Sequence, residues 1–370
     1  VKCFKHDPEN NTSISGDRIS SVVQDREGTI FIGTWGKGLN KLESGSDVFR
    51  RYINEEDDDR SLSENKVDSM YCDMEGNLWV GTTNGLNMMG RGENGFNRFS
   101  HDAADEFSLS NRLLSKMCED KNGNLWIGTK EGGINIYDRD KNRFYHLKND
   151  KDNPYSLGNN SVLDIYCDRS GIIWLGTFGS GLRIYKNRSK KFYHFFENKS
   201  DRNSLSSNKI SCFAEDKNGN LLIGTADKGF NILNPADYKF KRCSLINRDD
   251  ALTENMINCI EECKNGFYWI GTSGSGLVKY DPITDEIRNY SFKRSDDSTK
   301  NYLYIFSLYS DEEGFIWYGT AGKGIYRFDP VSEKAVQYSL NADNANDDSD
   351  KRIRKILPGF KNNLLLGSTT

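Results

Sequence analysis

Residues 168–185 read DRSGIIWLGTFGSGLRIY, and this stretch decides the fold. Asp168 opens a turn by bonding its own backbone, and Gly171 supplies the positive φ that the turn requires. The result is a β-hairpin leading into a short aromatic strand, Ile173-Trp174-Leu175. Trp is large, flat and suited to a pleated, half-buried surface. Beyond Gly176-Thr177 the chain turns again through Gly181 into a third strand ending at Tyr185, and Phe192-Tyr193-His194-Phe195 forms a fourth. The strand before the turn carries its apolar side chains at three-residue steps, as in Val162 and Ile165.

The unit recurs along the whole chain. Gly33, Gly81, Gly128, Gly176, Gly224, Gly271 and Gly319 each precede Thr, a degenerate Gly367 precedes Ser368, and successive steps are 47 or 48 residues. Asp25, Asp73, Asp120, Asp168, Asp216 and Asp311 open the same turn. Four short antiparallel strands per repeat, with no helical periodicity, make one blade of an all-β propeller. Seven blades are expected, with eight as the alternative. Val1–Phe4 align with Phe49–Tyr52, so the chain opens on a fourth strand, and it closes after Leu364-Leu365-Leu366, a second strand. On the seven-blade reading, residues 1–335 form the propeller, with the N-terminal strand completing the blade around Trp317, and 336–370 begin a second propeller. On the eight-blade reading the N-terminal strand joins Ile353–Ser368. Both arrangements remove sheet edges by mixing the chain ends.

Composition narrows the function. The chain has 50 basic and 54 acidic residues, a balance that argues against nucleic acid as a partner. Aromatics at 12% can supply a packed core in an otherwise polar chain. There is no apolar run long enough to span a membrane. With no initiator Met and no signal peptide, the N-terminus reads as trimmed. Cys72, Cys118, Cys167, Cys212 and Cys259 recur on one strand and read as buried thiols, not as a disulfide framework. Cys259 and Cys263 lack a second pair for zinc. His6, His101, His146 and His194 sit on or just after fourth strands, which diverge radially, so no metal site is expected. The acidic runs 55–59 and 347–350 read as solvated loops and not calcium sites. No nucleophile elbow, zincin motif or phosphate loop is present, and no cofactor is expected.

Candidate binding residues come from the repeat's departures from itself. The residue after Gly-Thr is small or polar in four units, Thr83, Ala226, Ser273 and Ala321, but it is Trp35, Lys130 and Phe178 in the others. Propeller geometry puts this loop on one face, where ligands meet the channel mouth. Aromatic rings there would stack on sugar faces, and the Lys would add a charged donor. The competing reading is packing against a neighbouring blade.

The units running from Ser204-Leu205-Ser206 through Asn208, Asp216, Gly219 and Gly224-Thr225, and from Asn65 through Trp79, Gly81-Thr82 and Gly85-Leu86-Asn87, resemble two-component regulator propeller repeats. The resemblance covers essentially the whole chain. It departs from the pattern at Lys300 and Asp348, which replace the Leu of S-L-S, and at Phe31, Leu222 and Leu365, which replace Trp. The resemblance implies the extracytoplasmic sensor region of a membrane-anchored signalling protein, on the periplasmic or extracellular side. It also implies an output domain such as a histidine kinase elsewhere in the polypeptide. Many relatives sense oligosaccharides, so the expectation is a non-catalytic ligand-sensing propeller. An oligosaccharide, other domains of the same polypeptide and a second copy of the chain are the expected partners. A propeller enzyme, such as a lyase or glycoside hydrolase, and a purely structural scaffold remain as alternatives.

Overall fold

A computed structural model describes residues 4–186, 191–244, 256–290, 303–338, 352–358 and 364–369. Every regular element among them is a strand. Blade 1 is Ile19–Gln24, Ile30–Thr34, Leu39–Leu42 and Phe49–Tyr52, four antiparallel strands in sequence order. The pattern repeats with first strands Val67–Cys72, Leu114–Glu119, Val162–Cys167, Ile210–Glu215, Ile257–Glu262 and Leu303–Ser310 opening blades 2 to 7. A two-stranded hairpin, Arg352–Pro358 with Leu364–Thr369, follows. The second strand of blade 6, Tyr268–Gly274, runs long enough to pair its end with Leu303–Ser310 as well.

The three-residue apolar step of the first strand has a specific cause. In all seven blades the register slips by one residue near the start of that strand, as between Val162 and Asp164. The bulge inserts one residue, so positions one and four of the strand point the same way. The Gly-Thr glycine is explained by the neighbouring blade. A Cβ on Gly33 would lie 2.5 Å from Val67 Cγ1, and one on Gly271 would lie 2.7 Å from Ile305 Cγ2. Glycine therefore lets adjacent blades meet near the axis. The partner Thr closes the next turn, with Thr34 Oγ1 donating to the Gly38 carbonyl at 2.7 Å.

This contact also traces the ring. A Cβ on Gly319 would strike Ile353 of the hairpin, and one on Gly367 of the hairpin would lie 3.2 Å from Ile19 Cγ2 of blade 1. The hairpin is thus seated between blades 7 and 1. The fourth strand of blade 7 is Lys334–Tyr338, not the N-terminal strand expected around Trp317, and the 335/336 boundary falls inside it. A hairpin to the adjacent strand closes a far shorter loop than a return from the chain terminus. Residues 1–3 lie outside the described residues; Phe4 packs edge-on to Phe49 at 4.9 Å between ring centroids.

Trp79, Trp126, Trp174 and Trp269 are buried, whereas Trp317 is only partly covered. It packs on Ile353 and Ile356, in a cluster made with the two-stranded hairpin. Each turn Asp holds its Trp: Trp79, Trp126, Trp174 and Trp317 donate Nε1–H to Asp73, Asp120, Asp168 and Asp311 at 2.7–3.0 Å. In blade 5 Leu222 replaces the Trp, and Tyr268 from blade 6 reaches across to donate its hydroxyl to Asp216 at 2.6 Å.

Candidate functional site

The residue after Gly-Thr donates its amide to the residue just before the first strand: Trp35 to Arg18, Lys130 to Leu113 and Phe178 to Ser161, at 2.9–3.0 Å. The same bond recurs for Ala226 and Ser273, and Ala321 donates to Tyr304 near the start of its first strand, so these residues occupy one rim of the ring. Trp35 is 49% exposed and Phe178 is 66% exposed. Trp35 is not a bare ring, because the Arg18 guanidinium lies 5.1 Å and the Lys66 ammonium 4.7 Å from its centroid. A groove lined by Gly36, Lys37, Arg50, Arg51 and Asn65 runs beside it. Phe178 makes no ring–ring or cation contact among the described residues and leaves its face open. The backbones of Lys130 and Phe178 meet at Ser161, whose hydroxyl donates to the Lys130 carbonyl and whose carbonyl accepts the Phe178 amide. Trp35 stands apart, bridged to Lys66 of blade 2.

Each histidine ring bonds a backbone carbonyl. His194 and His146 hold the Ser156 and Ser108 carbonyls at 3.0 and 2.8 Å, where Arg51, Arg98 and Arg242 hold the equivalent Ser13, Ser61 and Ser204 carbonyls in blades 1, 2 and 5. Burial holds the His146 imidazole below its usual pKa. Among the described residues no group of three His, Cys, Asp or Glu is placed to hold a metal, and the described cysteines are free thiols. The run 55–59 is exposed apart from a loop of ordinary turn hydrogen bonds, and 347–350 lie outside the described residues.

A second constellation lies about the axis and was missed from the sequence. The third position of the repeated first strand is Ser21, Ser69, Cys212, Cys259 or Ser307 in most units, but Lys116, Asp164 and Lys355 in the others. First strands pack against one another around the ring, so these charges meet although their blades are not all neighbours. Burial pushes the Asp164 carboxyl up to about 6, with Lys116 and Lys355 opposing, and the Glu261 carboxyl up to about 7, with Lys355 opposing. Charged residues replacing Ser or Cys were the available signal. Both carboxyls hold their protons more tightly folded than unfolded, where ordinary values near 4 apply. They favour folding at acid pH, and that stability is lost as pH rises through about 6 and 7. Asp164→Asn with Glu261→Gln is therefore expected to raise stability at pH 8, on the order of 2 kcal/mol, and to change little at pH 4. Chemical denaturation at the two pH values checks this; an equal effect at both would refute it.

Five segments, 13–36, 61–84, 108–131, 156–179 and 204–227, match the two-component regulator propeller repeat. The chain carries two-component regulator propeller repeats. Each matched segment of this regulator propeller runs from the S-x-S loop through the turn Asp and the Gly-Thr. The fold is similar to the extracellular domain of a hybrid two-component system from B. thetaiotaomicron, at 18% identity and a TM-score of 0.58, covering 96% of this chain and 56% of that one. A second such extracellular domain from B. thetaiotaomicron matches at 20% identity and a TM-score of 0.55, covering 99% of this chain and 54% of that one. The chain thus spans about half the length of these domains. Virginiamycin B lyase from Staphylococcus aureus shares the fold at 13% identity and a TM-score of 0.54, with 84% and 94% covered. No curated protein matches the chain significantly.

Proposed function

We propose that this propeller is the non-catalytic, ligand-sensing input region of a signal-transducing protein, exposed on the periplasmic or extracellular side of a membrane. The carrying observation is the run of five two-component regulator propeller repeats. The likeness to extracellular domains of two-component systems supports it. The rim bearing Trp35, Lys130 and Phe178 is the proposed contact face, and an oligosaccharide or another domain of the same polypeptide is the proposed occupant. Exposed rings at a rim give stacking area at low entropy cost, which suits flat sugar faces.

The test is a glycan panel read by thermal shift, because a ligand that binds only the folded state raises Tm by mass action. Trp35→Ala and Phe178→Ala are expected to weaken binding of the responding glycan about tenfold while leaving Tm within a few degrees. Removing Trp35 also removes two exposed cation–π contacts, worth roughly 0.5–1 kcal/mol each. Loss of stability with unchanged affinity would make both residues packing groups. A panel with no response would leave domain docking as the role of this face.

A further inference from the structure

Blade 4 breaks the repeat at two positions that touch. In blades 1, 2, 3 and 5 the third strand carries Asn40, Asn87, Asn135 or Asn231, whose Oδ1 accepts the amide of Ser15, Ser63, Ser110 or Ser206 at 2.7–2.9 Å. In blade 4 the Asn is Arg183 and the Ser is Gly158. The two changes fit each other: a Cβ on Gly158 would lie 1.8 Å from Arg183 Nη2.

The exchange leaves donors without acceptors. Arg183 is 6% exposed, and its Nε and Nη1 have no hydrogen-bond partner among the described residues. The Gly158 amide, standing where the serine amides donate to Asn, makes no hydrogen bond among the described residues. Among the described residues no carboxylate acts on the guanidinium, and burial pulls it down to about 10. A guanidinium stays charged in proteins, and a buried charge without a partner is costly. The loop and the rim turn are tied together here, since Asn159 Nδ2 donates to the Phe178 carbonyl at 2.9 Å and Ser180 Oγ to the Gly158 carbonyl at 3.4 Å. The backbones of Lys130 and Phe178 meet at the same junction through Ser161.

We infer that the junction of blades 3 and 4 binds an oxyanion, the carboxylate or sulfate of an acidic ligand, on the Arg183 guanidinium and the Gly158 amide. A planar fork of N–H groups matches two oxygens of such a group, and the backbone amide adds a third donor. Phe178 offers an apolar face beside the anion, so an acidic saccharide meets both needs. This assignment deepens the ligand-face reading and rests on it for the ligand's position.

The experiment uses calorimetry and Tm on the whole chain with glucuronate, glucose and inorganic sulfate, against chloride at equal ionic strength. Glucuronate or sulfate is expected to bind saturably and raise Tm, and glucose is not. Arg183→Met keeps the bulk and removes the charge; binding should weaken about tenfold or more. Arg183→Asn keeps Gly158, whose φ of 82° disfavours Ser, and offers the Gly158 amide an Asn Oδ1 as in blades 1, 2, 3 and 5. It removes the buried unpaired charge and should fold but bind no anion, which keeps the test decisive if Arg183→Met fails to fold. Sulfate also stabilises proteins by exclusion from their surface, so a sulfate effect equal in parent and variants overturns the inference. So does the absence of any anion response. A neutral glycan bound equally by all three proteins would keep the ligand face and overturn the anion site.

Discussion

Trp174→Ala is expected to cost about 3–5 kcal/mol of unfolding free energy, the range for removing a buried aromatic ring. Trp174 is 0% exposed and packs with Leu182, Leu205, Ile210 and Leu221, side chains of blades 4 and 5 and of the loop between them. Its Nε1–H donates to Asp168 at 2.7 Å, so truncation leaves a cavity and also strips one bond from the carboxylate that shapes the turn. Asp168 additionally accepts the Ile172 amide at 2.8 Å and the Ser170 hydroxyl at 2.6 Å. The same change at Trp317 is expected to cost less, because that ring is only partly covered. Urea unfolding of the two variants checks both the size and the order. A Trp174→Ala loss below about 1 kcal/mol would mean the ring is not wedged between blades.

Asp73→Ala should destabilise by roughly 3 kcal/mol, the low end for breaking a buried ion pair by removing one partner. Arg139 of blade 3 donates Nη2–H to Asp73 at 2.9 Å and to Glu119 at 3.2 Å, Nη1–H to Glu75 at 3.0 Å and Nε–H to the Gly123 carbonyl at 2.8 Å. This bolts blade 2 to blade 3. Asp73 also holds the Trp79 indole and Asn77. The low end applies because Arg139 is partly exposed and keeps its other partners. Burial opposes ionisation of Asp73, but the hydrogen bonds from Trp79, Asn77 and Arg139 outweigh it and hold the carboxyl below its usual value. A lowered folded pKa contributes stability that is present above the unfolded value and lost as pH falls through the folded one. The penalty of Asp73→Ala should therefore be full at pH 7 and shrink toward pH 2. A penalty independent of pH would show that the ion pair contributes nothing.

The blade was legible because its signals are local. The Asp-x-x-Gly turn, the Trp strand and the Gly-Thr all lie within one stretch of the chain, so one unit reveals the rest by repetition. Exceptions were legible only as gaps. Leu222 reads as a missing Trp, and nothing nearby shows that Tyr268, 46 residues later, fills the vacancy at Asp216. Cys263 reads as a missing turn Asp, leaving Trp269 without the carboxylate its counterparts use. The rim was legible from Trp35, Lys130 and Phe178, but their grouping was not. Whether two turns meet depends on Ser161, which belongs to the loop before the next blade.

By itself the sequence determined the strand order, the turn chemistry, the identity of the repeat and the glycine at every blade contact. These follow from backbone conformation and side-chain size within one period. The tertiary structure decided the seating of the hairpin between blades 7 and 1, the meeting of Lys116, Asp164, Glu261 and Lys355 about the axis, and the pairing of Arg183 with Gly158. Those depend on which residues of different repeats become neighbours when the ring closes, and a pattern of period 48 is silent about its own exceptions until the blades are packed.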